Sequence, residues 1–174
     1  MDDWLFILSP GLMMDRLTRR WREDQENKPI TLNTTLPAAL NKWPVQWIDG
    51  ICLNIGLDPK EQRKKKDRVH AVASHLSGRE ELRAVVDSLS EQGQQALVYV
   101  LEKGGWLKIG SLTRQFGTMD DVGWYWDEEQ PPISPLGQLR VRGLLFVGKA
   151  GIKGRNYTVL VVPSELRESL KAML

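Results

Sequence analysis

Residues 144–163, LLFVGKAGIKGRNYTVLVVP, restrict the fold more than any other stretch of the chain. Two runs rich in strand-forming residues, LLFVGKAG and NYTVLVVP, flank the turn IKGR, where Gly151 and Gly154 supply the backbone freedom a tight reversal needs. WLKIG, at 106–110, reads as one further short strand. The remaining apolar residues recur at helical spacing. One hairpin, one extra strand and many helices predict a mainly α chain of α+β class.

The helices are punctuated by short capping residues. Ser9-Pro10 opens the first, because serine can cap and proline at the first helical position has no N–H to orphan. Met13, Leu17 and Trp21 recur every four residues and predict an amphipathic helix over 10–24, with Arg16, Arg19, Arg20 and Arg22 covering much of the rest. Residues 25–35, polar and containing Pro29, read as a connector. Trp47, Ile48, Ile51, Cys52 and Ile55 line one side of a helix that Gly56 ends; Val69, Val72, Ala73 and Leu76 line the next, stopped by Gly78. Residues 79–89 read as a third helix or a helical bridge. Ser90 caps a helix whose inward residues are Ala96, Leu97, Val100 and Leu101. Ser111 caps SLTRQFG, Ser134-Pro135 starts LGQLRVRGL, and Ser164 caps a closing helix over 165–173.

Hydrophobic residues at 41% and charged residues at 26% place the chain among globular proteins. Asp2 and Asp3 stand where a secretory signal needs basic residues, and Ser9-Pro10 interrupts the apolar run Trp4–Leu8, so a cytoplasmic protein without a membrane partner is expected. One cysteine and two histidines speak against a disulfide framework and a structural zinc site. No motif for a catalytic nucleophile, nucleotide loop or metalloprotease is present. The expectation is a protein that is not an enzyme, with no metal, cofactor or small-molecule substrate.

Charge is concentrated in one place. Between residues 60 and 79 stand seven basic and two acidic residues, although the whole chain carries a net charge of only +2. Such a cluster is an electrostatic footprint for phosphate, whose neutralisation releases condensed counterions. It also suits a solvated turn between two core helices. Over residues 43–76, a helix ending in Gly56-Leu57, a short loop and a Lys-rich helix start resemble the SAP motif, a small DNA-binding helix-loop-helix. The matching residues are Trp47, Ile48, Ile51, Gly56, Leu57, Lys66, Val69 and Val72, with Gln62-Arg63 where that motif usually has glycine. The resemblance implies phosphate contacts from Arg63, Lys64, Lys65, Lys66 and Arg68.

Residues 90–170 run helix, strand, short helix, loop, helix, hairpin, helix. This order resembles the winged-helix domains of helicase-associated and transcription-associated proteins. In that fold the third helix reads the major groove and the wing touches backbone or minor groove. The resemblance implies a reading helix over 136–143 that presents Gln138, Arg140 and Arg142, and a wing that presents Lys149, Lys153 and Arg155. Winged helices also serve as protein-interaction modules, because fold does not fix function. From residue 87 onward ten basic and ten acidic residues cancel.

The segment joining Phe116 to Ser134 departs from that pattern, since a helix-turn-helix joins its last two helices in three or four residues. It carries Trp124, Tyr125 and Trp126 among the carboxylates Asp120, Asp121, Asp127, Glu128 and Glu129. Three readings are open: the tryptophans pack beneath the reading helix, they form an epitope for a protein partner, or the acids mask Arg140 and Arg142. The division expected is an N-terminal helix and connector over 1–35, a SAP-like helical region over 36–89 and a winged helix over 90–174. The function expected is duplex-DNA binding in transcription or genome maintenance. The alternative is a protein–protein adaptor that uses the winged helix and the Trp124–Trp126 loop.

Overall fold

The computed structural model describes residues 10–126 and 130–174. Ser9, the run Trp4–Leu8 and the acidic residues Asp127, Glu128 and Glu129 lie outside them.

In chain order the helices are α1 (Pro10–Glu26), α2 (Leu36–Asn41), α3 (Val45–Asn54), α4 (Lys65–Ser77), α5 (Arg79–Asp87) and α6 (Glu91–Glu102). Strand β1 (Trp106–Lys108), α7 (Ile109–Phe116), α8 (Pro135–Arg140), the hairpin β2 (Phe146–Ile152) and β3 (Arg155–Val161), and α9 (Arg167–Met173) follow. The protein is mainly helical with one small sheet, as the apolar spacing requires. That sheet is antiparallel, in the order β1-β3-β2.

The hairpin turns in two residues. Ile152 pairs with Arg155, leaving Lys153 at φ 50° and Gly154 at φ 80°. Both are left-handed, as the tight turn that matches strand twist demands. Gly151, expected to ease the turn, sits inside β2 opposite Asn156.

Two of the expected caps form. Ser90 Oγ accepts the Gly93 N–H at 3.1 Å, and Ser134 Oγ accepts that of Gly137 at 3.2 Å. Ser111 lies inside α7, which begins at Ile109, and Ser164 opens a 3-10 turn ahead of α9. The connector after α1 is more ordered than its composition suggests. Ile30 N–H donates to Lys149 O, and Lys149 N–H donates to Lys28 O, each at 2.9 Å, so residues 28–30 extend the sheet along the outer edge of β2.

Buried residues from Ile30 to Leu170 form one hydrophobic cluster that includes Trp43, Trp47, Val72, Leu97, Leu139, Phe146 and Leu160. It runs across the positions 35/36 and 89/90. α6 packs on α8, and α2 and α3 pack on α4. Among the described residues, the hydrogen bonds that tie α1 to this body come from its second half, through Arg22 and Glu26. From residue 13 to 17 every residue is exposed, as are Arg19, Arg20 and Trp21.

Candidate nucleic-acid interface

The helix expected to read bases is enclosed. Every residue of α8 is buried, with Gln138 7% and Arg140 1% exposed. The expectation that Gln138 and Arg140 face outward is therefore corrected. A spacing argument assumes one inward face, and α8 is covered on several: by α6, by Val122 and Pro132, and by Trp43 and Trp47 around Arg140.

Arg140 sits in a cage of three tryptophans. Its guanidinium carbon lies 4.9 Å from the Trp47 ring centroid, 5.1 Å from that of Trp126 and 5.7 Å from that of Trp43. Its Nη1 donates to Glu26 Oε1 at 2.7 Å. Burial lowers the guanidinium from its ordinary value, the Glu26 carboxylate opposes that shift, and Arg22 adds to it. Arginine keeps its proton in such surroundings, so a charge is held inside the protein by one carboxylate and three ring faces.

The other two polar residues of this helix region are engaged as well. Gln138 Oε1 accepts the Ser90 N–H at 2.9 Å, and its Nε2 donates to Ile133 O at 3.0 Å. Half-buried Arg142 donates from Nε to Ser88 Oγ and from Nη1 to Gln138 O, both at 3.0 Å. These side chains tie α8 to its neighbours.

Residues 117–126 form a strap across α3 and α1. Trp126 is 3% exposed, stacks on Trp47 with centroids 4.5 Å apart, and meets Trp43 edge-on at 5.1 Å. Its backbone lies on Gly50, where a Cβ would come within 2.4 Å of Trp126 O. Trp47 Nε1 donates to Trp124 O at 2.8 Å, Asn54 Nδ2 to Trp126 O at 3.1 Å, and Arg22 Nη1 to Val122 O at 2.8 Å. Half-buried Trp124 bridges Trp21 and Trp47, at 5.7 and 5.5 Å, while Tyr125 points outward at 67% exposure. Trp126 is thus part of the core, and only Tyr125 of the three stands fully on the surface. Among the described residues, the carboxylate that reaches Arg140 comes from α1, while Asp127, Glu128 and Glu129 lie outside them. Asp120 accepts from Thr118 Oγ1 at 2.8 Å, and Asp121 serves α8.

Asp121 accepts the N–H groups of Ile133 and Ser134, each at 2.8 Å, and the Ser134 hydroxyl. Partial burial alone would raise this carboxyl; the hydrogen bonds from Ser134 and Ile133 outweigh it and hold Asp121 below its ordinary value of 3.8. A carboxylate depressed by folding stabilises the fold above its unfolded value and loses that contribution as pH falls through the folded one. Asp121→Asn should therefore be less stable than the parent at neutral pH. The gap should close as acid takes the parent below pH 3.8. Urea melts of both proteins across that range give the measurement, and a gap independent of pH would contradict it.

The basic residues of the helix-loop-helix do reach the surface. Arg63, Lys64 and Lys66 are exposed at the start of α4, whose first turn has no side-chain cap. Arg68 is committed elsewhere: it pairs with Asp49 at 3.3 Å and donates to Pro59 O at 3.1 Å, tying α4 to α3. Lys65 is half-buried, with Nζ donating to Asn41 O at 2.9 Å.

Two further lysines join this face, and sequence reasoning missed both. Lys28 Nζ donates to Lys42 O at 2.6 Å, and Lys42 Nζ donates to Pro29 O. Burial and then the neighbouring Lys28 charge lower the Lys65 pKa from its ordinary value. The backbone of Lys149 bonds to Lys28, and Lys153 and Arg155 stand exposed at the hairpin tip. That tip is about 13 Å further along the strand at the usual rise per residue. Among the described residues, none of Lys28, Lys42, Lys65 or Lys149 is within ion-pairing distance of a carboxylate.

No protein-family model, curated protein or solved structure matches the chain. Among the described residues, no helix is long and apolar enough to cross a membrane.

Proposed function

We infer that this is a cytoplasmic, non-catalytic duplex-DNA-binding protein that grips phosphate rather than reading bases. The observation that carries the reading is the meeting of Lys28, Lys42 and Lys65, from the connector, the end of α2 and the start of α4. The Lys28 charge acts on Lys65, and like charges held together without a described carboxylate between them repel, a repulsion that a bound polyanion relieves. Arg63, Lys64 and Lys66 continue the face on one side, around a helix N-terminus whose free N–H groups and dipole favour phosphate. Lys149, Lys153 and Arg155 continue it along the hairpin. The element order of 91–161, with β3 between β1 and β2, supports the winged-helix reading of this half. The internal hydrogen bonds of Gln138, Arg140 and Arg142 favour backbone over base contacts, because phosphate contacts position a protein without specifying sequence.

The expected result is weak, strongly salt-dependent binding to mixed-sequence duplex. Lys64→Glu, Lys65→Glu and Lys66→Glu together should weaken it alike on every sequence. Each lost phosphate contact should flatten the log–log salt slope by about 0.9. Fluorescence anisotropy across a salt series gives that slope, and a triple variant that binds as the parent does would refute the reading. Protein docking through the strap is the second reading, favoured by the outward Tyr125 next to Trp124, which touches the half-exposed Trp21.

A further inference from the structure

Lys65 differs from the lysines on either side of it. Lys64 and Lys66 are exposed, whereas Lys65 is half-buried and its Nζ donates to Asn41 O at 2.9 Å. The next carbonyl along, Lys42 O, accepts from Lys28 Nζ at 2.6 Å. The end of α2 thus carries two lysine nitrogens on consecutive carbonyls. Lys42 in turn reaches back to Pro29 O, beside Lys28. Among the described residues, no carboxylate lies within ion-pairing distance of Lys28, Lys42 or Lys65. α2 has no charged side chain, and Asp49 of α3 is held by Arg68.

Burial first, and the Lys28 charge second, lower the Lys65 pKa from its ordinary value. A larger share of Lys65 is therefore free amine at neutral pH. Desolvation and a neighbouring cation are the two means by which a lysine becomes a nucleophile. The neutral amine still has an N–H for Asn41 O, so the bond that places the nitrogen survives loss of the proton, and the lone pair is turned away from that carbonyl. The Lys28 charge is close enough to act on Lys65, so an anion held by Lys28 is brought beside this amine. An activated amine next to an anion-holding pair of lysines suits one class of reagent, the acyl phosphate, which carries its electrophilic carbon directly on its phosphate.

We propose that Lys65 is an acylation site that takes its acyl group from small acyl phosphates held by Lys28 and Lys42. Lys65 Nζ attacks the acyl carbon; a C–N bond forms, and the bond from that carbon to the phosphate oxygen breaks. Inorganic phosphate leaves with the electron pair, and the proton lost from Nζ passes to it or to water. The product is a neutral amide, so the cluster loses one positive charge. The site itself does not depend on DNA binding. Only its consequence, a weaker grip of the acylated chain on duplex, rests on that reading.

The test is incubation of the full chain with acetyl phosphate at neutral pH, with peptide mass spectrometry following the acetyl group at each lysine over time. Lys65 should be acetylated severalfold faster than Lys64 and Lys66, which share its sequence neighbourhood but are fully exposed. Added inorganic phosphate should slow Lys65 and leave Lys64 and Lys66 unaffected. Lys28→Gln should erase the advantage of Lys65, and Lys28→Arg, which keeps the charge, should retain it. Far-ultraviolet spectra establish that both variants fold; the phosphate competition needs no variant and decides alone where Lys28→Gln does not. A Lys65 rate no faster than that of Lys64 and Lys66 overturns the proposal. So does an advantage that phosphate does not reduce, or one that survives Lys28→Gln. A chain that acetylates first at Lys65 yet never binds duplex would sink the DNA reading and uphold the acylation site.

Discussion

Glu26→Ala is expected to destabilise the fold by about 3 kcal/mol, the cost of leaving a buried partner charge uncompensated. Arg140 is 1% exposed, and its Nε and Nη2 find no hydrogen-bond partner among the described residues, so Glu26 supplies its one ionic contact. The three ring faces attract the cation, each by about 1 kcal/mol, but they cannot accept a directed hydrogen bond as a carboxylate does. The value sits at the lower end for a buried pair because the Glu26 side chain keeps 23% of its exposure. Arg140→Met should cost much less than Glu26→Ala, although it deletes the same ion pair: the charge leaves with the residue, and a flexible thioether can occupy the ring cage. Urea melts at neutral pH rank the two variants. A loss below about 1 kcal/mol for Glu26→Ala, the value of a surface pair, would mean that water reaches the guanidinium.

That contact also shows where sequence reasoning stops. The hairpin was legible because its information is local: two strand-forming runs and a Lys153-Gly154 turn that takes two left-handed residues. Ser90 and Ser134 were legible for the same reason, each followed three residues later by the N–H it caps. Ser111 carried the same signal, but the helix start moved two residues upstream, directly after β1. Arg140 was not legible. Its partner lies 114 residues away and its cage is assembled from Trp43, Trp47 and Trp126, so composition alone assigns an arginine in a basic-looking helix to the surface. The meeting of Lys28, Lys42 and Lys65 was hidden in the same way. No spacing relates the three, and only the attachment of the connector to β2 brings Lys28 beside them. On the Lys-rich turn itself the sequence located the charge correctly, yet it could not separate Arg68, held by Asp49, from its exposed neighbours.

Trp126→Ala should cost about 3–5 kcal/mol, the usual loss for truncating a buried large aromatic. Three separable contributions enter that number. The ring is 3% exposed and leaves a cavity against Trp47 and Trp43, which face it at 4.5 and 5.1 Å. Its Nε1–H donates to Gly123 O at 2.9 Å, a bond that holds the strap's own turn. It also forms one wall of the Arg140 cage, so the guanidinium loses a face as the cavity opens. Trp124→Ala should cost clearly less, because that ring is half-buried and its carbonyl, which receives the Trp47 N–H, survives the substitution. Gly50→Ala provides an independent check from the opposite side of the contact. A methyl group there would meet Trp126 Cβ and O at 2.4 Å, one of them a backbone atom that cannot rotate away, so the strap must lift off α3. Gly50→Ala and Trp126→Ala should then share a weakened near-ultraviolet tryptophan signal and a lowered melting temperature. Their double variant should lose less than the sum of the two, since both act by detaching the same segment. Strict additivity would show that Gly50 acts on α3 alone.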